Sequence, residues 1–174
     1  RVRELARGRR VLDLCSYTGG FALNAAKGDA TWVTAVDLDE AAVAQARKNA
    51  ARNRLLDRVQ CVHADAFTVL RDPSVPAPDL IVTDPAKQAA HKDEVPKALR
   101  FYHDLNTLAF AKAQKESLVL ACSCTGLVSE HAFLDTLAAA AVSARRRVTF
   151  LEVSGAPADH PVPSDFPLAQ ALNQ

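Results

Sequence analysis

The sequence predicts an α/β domain, a mostly parallel sheet with helices on both faces. Three observations predict it. Short apolar runs alternate with longer alanine-rich or amphipathic stretches along most of the chain, the pattern of strands joined by helical crossovers. The apolar runs end in polar or acidic residues, Asp37, His63, Asp84 and Cys122 among them. A glycine pair, Gly19-Gly20, stands between the first run and the first helical stretch, where a backbone must turn sharply and a ligand can come close. Parallel strands with right-handed crossovers bring their carboxyl ends to one rim, and ligands of such sheets sit there.

At 174 residues the chain has the size of one domain with a well-formed core, expected to run over 1–174. Lys and Arg number 21 against 20 Asp and Glu, a formal net charge of +1, so no broad basic field marks a nucleic-acid binder. Any basic surface is local. Arg1, Arg3, Arg7, Arg9 and Arg10, and Arg145-Arg146-Arg147, are the clusters that either contact RNA or form solvated faces. Four cysteines in an α/β chain read as free thiols. No signal peptide, repeat or long apolar run appears, which predicts a cytoplasmic protein without a membrane segment. The oligomeric state is not legible.

In chain order, Arg1 to Gly8 is a basic lead-in, the end of a helix or a linker, and begins abruptly as a fragment would. Arg10 to Cys15 is a buried parallel strand. Phe21 to Lys27 is a helix that stops at Gly28. Trp32 to Asp37 is the second strand, and Glu40 to Asn53 a helix with Asp39 as its N-cap. Arg58 to His63 alternates as a third strand, and Ala66 to Leu70 is a short helix. Asp72 to Pro78 is a turn-rich connector. Asp79 to Asp84 is the fourth strand. A polar loop, Gln88 to Pro96, leads to a helix over Lys97 to Gln114. Ser117 to Cys122 is the fifth strand, Glu130 to Ala144 a helix capped by Ser129, and Arg147 to Val153 a sixth strand. The tail from Ser154 is irregular, with at most a short helix over Leu168 to Leu172. Cys15 and Cys61 read as buried strand residues, and Cys122 as packing.

The unit from Val11 to Asp37 suits a nucleoside-bearing cofactor. A carboxylate ending the second strand can accept hydrogen bonds from both ribose hydroxyls, and the first helix can offer free N–H groups and its positive end. Dinucleotide folds place G-x-G-x-x-G after the first strand. Cys-Ser-Tyr-Thr-Gly-Gly stands there instead, which argues against NAD.

The stretch Val11-Leu12-Asp13-Leu14-Cys15-Ser16-Tyr17-Thr18-Gly19-Gly20-Phe21 resembles the first motif of class I S-adenosylmethionine-dependent methyltransferases. In its "SYTGGF" form it resembles the bacterial large-subunit rRNA cytosine-C5 methyltransferases. Asp84-Pro85-Ala86-Lys87 is similar to that family's "DPPK" segment, with alanine in the place of the second proline. Phe101 to Asn106 resembles "YxDLN", Ser123-Cys124-Thr125-Gly126 resembles "SCSG", and Ala158-Asp159-His160-Pro161 resembles "ADHP". The resemblance runs from about Arg9 to Pro161.

The resemblance implies a Rossmann-like class I methyltransferase fold, S-adenosylmethionine as cofactor and RNA, 23S rRNA, as partner. The cofactor would be held by Asp13, Ser16, Tyr17, Thr18, Gly19, Gly20, Phe21, Asp37, Asp65, Ala66 and Asp84. Cys124 would be the nucleophile, with Asp84 as the catalytic carboxylate. Lys87, Tyr102 and His160 would touch the target nucleotide. Packing for Tyr102, solvent for Lys87, an N-cap role for Asp65 and a turn role for Asp84 are the alternatives. The family also carries an amino-terminal PUA-like RNA-binding domain and a seventh, antiparallel strand. Neither is in this sequence, so the sheet is expected to lack that strand, as a domain cut from a longer protein or a diverged copy. No cysteine pair supports a metal site. Amino-group methylation of a base through Asp84, and a non-catalytic cofactor- or RNA-binding module, remain open readings.

Overall fold

A computed structural model describes residues 1–155, which fall into two compact units, Arg1–Pro85 with Leu108–Cys122, and Ala86–Thr107 with the chain from Ser123 onward. The "ADHP" segment with His160, and the helix expected over Leu168 to Leu172, lie outside the described residues.

The first unit is a five-stranded, wholly parallel sheet of order β3-β2-β1-β4-β5. The strands are β1 (Arg10–Leu14), β2 (Trp32–Asp37), β3 (Val59–His63), β4 (Leu80–Thr83) and β5 (Leu118–Ala121). The order reverses direction at β1, between β2 and β4, so the crevice of this sheet opens above the carboxyl ends of β1 and β4. Helices α1 (Val2–Leu5), α2 (Gly20–Lys27) and α3 (Glu40–Arg52) cover one face. Their alanines and valines, with Ala25 and Ala50 fully buried, pack on Val11, Val33, Ala35, Val59, Cys61, Leu80 and Val82. The pleat of alternating side chains continues that buried row to Asp13 on β1, Asp37 on β2, His63 on β3, Asp84 beyond β4 and Cys122 beyond β5. The strands bury this face until they reach the rim, and the next residue in phase is polar.

The caps follow the sequence. Asp39 accepts the N–H groups of Ala41 and Ala42 at 2.8 and 3.2 Å, Asp65 accepts that of Thr68 at 2.9 Å and so starts α4 (Ala66–Arg71), and Ser129 accepts that of Ala132 at 3.2 Å. Gly28 does end α2, but at φ −90°, so a left-handed conformation is not the reason. A Cβ there would run into the carbonyl of Arg3 in α1.

In the second unit, α5 (Val95–Lys112) begins two residues earlier than Lys97, because Pro96 fits the first helical turn, where its missing N–H costs nothing. The polar loop before it holds a 3-10 turn, Lys92–Glu94, fixed by the Glu94 carboxylate on the N–H groups of Ala90 and His91. Helix α6 spans Glu130–Ser143. Ala98 and Tyr102 of α5 form a small core with Ala89, Val128 and Phe133.

Among the described residues the expected sixth strand is not formed. Arg147 to Val153 carries strand-like residues, yet Val148, Phe150, Leu151 and Val153 are exposed and the segment takes no strand conformation among the described residues. Among the described residues no helix is long and apolar enough to cross a membrane.

Candidate active site

The turn after β1 is built against its own backbone preferences. Cys15 and Tyr17 stand at φ 58° and 47°, and Gly19 at 86°, the left-handed region that costs a non-glycine residue on the order of 1–2 kcal/mol. The sequence places this freedom at Gly19-Gly20. The structure places it at Cys15, Tyr17 and Gly19, and Gly20 is already helical. Hydrogen bonds hold the strained loop. Ser16 N–H donates to the Val36 carbonyl at 3.0 Å and Gly19 N–H to the Ser16 carbonyl at 2.8 Å. Tyr17 N–H donates to Asp37 at 2.7 Å, and the Asn49 amide of α3 reaches the Thr18 carbonyl at 3.0 Å. Asp37 also accepts from Asp39 N–H at 2.9 Å. The carboxylate expected to hold a ribose is therefore also the clamp of the turn.

Asp13 lies in mid-strand, fully buried, and one oxygen accepts the Ala22 N–H of α2 at 2.8 Å. Its other oxygen and the Ser16 hydroxyl are buried without a hydrogen-bond partner among the described residues. Burial pushes the Asp13 carboxyl up to about 7; the Ala22 N–H opposes the shift, and Asp84 and Asp37 add to it. Burial also raises Asp84. Cys15 is half-buried at the rim, not inside the strand as its sequence context suggests. Burial and then Asp37, Asp13, Asp84 and Asp65 push its thiol up to about 12, which makes it a neutral group and no nucleophile. The rim thus gathers four carboxylates around one point, an environment that favours a cationic ligand.

In the second unit Lys87 and Cys124 are exposed, and Cys124 is in no disulfide. Tyr102 is corrected. It is completely buried, edge-on to Phe133 at 5.1 Å and to Phe101 at 6.1 Å, and no ring face is left for a base to stack on. Its hydroxyl lies 2.7 Å from the Thr125 hydroxyl and accepts from Ser123 at 3.0 Å.

The structure brings Asp13, Ser16, Tyr17, Thr18, Asp37, Asp65 and Asp84 to the rim of the first unit, with Gly19, Gly20 and Phe21 at the start of α2 and Ala66 buried behind Asp65. Asn49 escaped sequence reasoning, since a mid-helix asparagine signals nothing until its helix is docked. A groove of about 530 Å³ lies on the opposite face, lined by Leu12, Thr34, Val36, Val62 and the 72–78 connector, and carries none of these residues. Among the described residues no group of His, Cys, Asp and Glu is placed to hold a metal ion.

A family described as "Methyltransferase domain" matches residues 11–105. Ribosomal RNA large subunit methyltransferase I of Serratia proteamaculans is 39% identical over 169 residues, 95% of this chain and 43% of that protein. The enzyme of the same name from Photobacterium profundum is 39% identical over 163 residues, 92% of this chain and 41% of that protein. The chain thus spans less than half the length of these relatives. The crystal structure of SMU.776 complexed with SAH superposes with a TM-score of 0.82 at 24% identity, over 98% of this chain and 45% of that one. That likeness shows the fold.

Proposed function

The chain belongs to the methyltransferase domain family, and on that premise we propose that it transfers a methyl group from S-adenosylmethionine to carbon 5 of a cytosine in large-subunit ribosomal RNA. Residues 1–174 act as the methyl-transferring module, and the place of action is the cytoplasm, where ribosomes are assembled. The observation that carries the reaction type is the exposed Cys124 thiol, in a loop whose neighbours on both sides are hydrogen-bonded to a buried tyrosine.

The first unit's residues fit the cofactor. A buried carboxylate oxygen and a buried hydroxyl without partners are what an amino-acid ligand with an ammonium group satisfies. Asp13 and Ser16 would hold that end. Asp37 has lone pairs left for a ribose, and Asp65 with Ala66 would border the adenine. The cofactor supplies a methyl group made electrophilic by a positively charged sulfur.

Carbon 5 of cytosine is too weakly nucleophilic to take that group unaided. The Cys124 thiolate adds to carbon 6, forming a carbon–sulfur bond and leaving an enamine-like carbon 5. Asp84, whose burial keeps its proton longer than an ordinary carboxyl, shares that proton at the N3/N4 edge of the ring. After methylation the carbon-5 proton leaves to a base, the 5,6 double bond re-forms and the thiolate departs. Lys87 serves the phosphate backbone.

Replacing Cys124 by alanine in the protein as the cell makes it should abolish methyl transfer and leave cofactor affinity unchanged by calorimetry. RNA carrying 5-fluorocytosine should trap the wild-type protein as an adduct that survives denaturation, because fluorine does not leave as a proton does. Undiminished transfer by the Cys124→Ala protein would overturn the cytosine-C5 reading in favour of amino-group methylation through Asp84. Cofactor binding without any transfer would leave a binding module.

A further inference from the structure

We propose that the Tyr102 hydroxyl is the positioning group of the Cys124 loop, an inference that rests on reading Cys124 as the nucleophile. Ser123 and Thr125 flank the cysteine in sequence, and both reach the same phenol oxygen. Ser123 Oγ donates to it at 3.0 Å, and it lies 2.7 Å from Thr125 Oγ1. The hydrogen-bond directions are mutually consistent. The tyrosine oxygen accepts from Ser123 and gives its own proton to Thr125, whose oxygen also accepts the Gln88 N–H at 2.9 Å. Thr125 N–H closes the loop on Ser123 Oγ at 3.3 Å.

The hub is buried where the loop is exposed. Tyr102 is wholly buried and Thr125 nearly so, at 0% and 2% exposure, while Ser123 and Cys124 are exposed. The ring is packed by Phe133 and Phe101, and its helix carries a second tie, Asn106 to the Tyr102 carbonyl at 2.8 Å. The loop around Cys124 has no regular structure of its own. Here a buried oxygen pins it on both sides of the cysteine, and through Gln88 pins the segment that carries Lys87 as well. Small misplacements of a nucleophile are costly to rate, so the phenol acts on turnover through Cys124 without touching substrate. The stacking role expected of Tyr102 is replaced by this one.

Tyr102→Phe removes the oxygen and keeps the ring. Thr125→Val removes the other hydroxyl and keeps its shape, and Thr125→Ser restores it. In the protein as the cell makes it, Tyr102→Phe and Thr125→Val should each lower kcat for methyl transfer by about tenfold. The Kd for S-adenosylmethionine and the KM for RNA should stay within about twofold. The double variant should be no slower than either single one, because both break one network, and Thr125→Ser should transfer as the wild type does. Hydrogen exchange at Gln88 and at Ser123 to Gly126 should quicken in the two slow variants, with β1 unchanged. If Tyr102→Phe does not fold, Thr125→Val against Thr125→Ser decides alone. Loop amides that open while transfer keeps its wild-type rate would overturn the positioning role and leave the nucleophile standing. Wild-type transfer by Cys124→Ala would remove the nucleophile, and this proposal with it.

Discussion

Asp13 carries a carboxyl group in mid-strand with no access to water. It has a single N–H to lean on, and other carboxylates stand beyond it. The folded protein therefore holds the proton up to about pH 7, whereas the group ordinarily titrates at 3.8. Below that lower value both folded and unfolded chains are protonated, and nothing is lost. Between the two values only the folded chain keeps the proton, so stability falls as pH rises; above about 7 the full cost, roughly 4 kcal/mol, is present. Asp13→Asn mimics the protonated form at every pH. It should melt well above the wild type at pH 8, and the gap should close as pH falls toward 4 in thermal denaturation. A gap that does not change with pH would show that the carboxyl is not the source. The sequence names Asp13, because an acidic residue in an apolar run is visible. It does not name the strained residues beside it, since cysteine and tyrosine at φ 58° and 47° carry no mark of it. Nor does it tell that Tyr102 faces inward, because the phase of a helix is fixed only once α6 and Phe133 are packed against it.

Helix α1 is four residues long and could not persist alone. It is held by Val2 and Ala6, both buried, and by the close approach of its Arg3 carbonyl to Gly28. Gly28→Ala should push α1 off α2, expose much of the Val2 surface and cost roughly 2 kcal/mol. The melting temperature should fall by about 4–8 °C; an unchanged melting temperature would mean that α1 does not dock in solution. Sequence reading found this glycine as a helix stop, and the position is right. Its physical reason, space for a neighbouring backbone, belongs to a contact between elements and so was not legible. The five strands were legible almost to the residue, because each is an apolar run with a partner on at least one side. The Arg147 to Val153 run looked the same and forms no strand among the described residues.

Over the whole molecule the charges nearly cancel, at +1, and the arginine clusters at Arg1 to Arg10 and at Arg145 to Arg147 are mostly exposed. Affinity of this chain alone for unstructured RNA should then be weak and local. With about three phosphates neutralised, it should drop on the order of twentyfold between about 50 and about 200 mM salt. Fluorescence anisotropy across that range checks it, and tight binding that ignores salt would contradict it. The parallel sheet itself was legible, since alternation of strand and helix with one handedness leaves few arrangements. One property of the sheet reaches further. Every strand delivers its polar residue to the same side of the rim because the pleat is in phase across all five, Asp13 opposite Ala35 and Val82, and Asp37 opposite His63. Inheritance acts on such a sheet unevenly. Point changes within a strand alter one side chain and can be repaired by a neighbour. Loss or gain of a single codon inside a strand turns its terminal carboxylate to the far side at one stroke. Loss of two restores the phase and only shortens the strand. Descendants of this gene should therefore vary in length between the strands, and within them by pairs of codons or not at all.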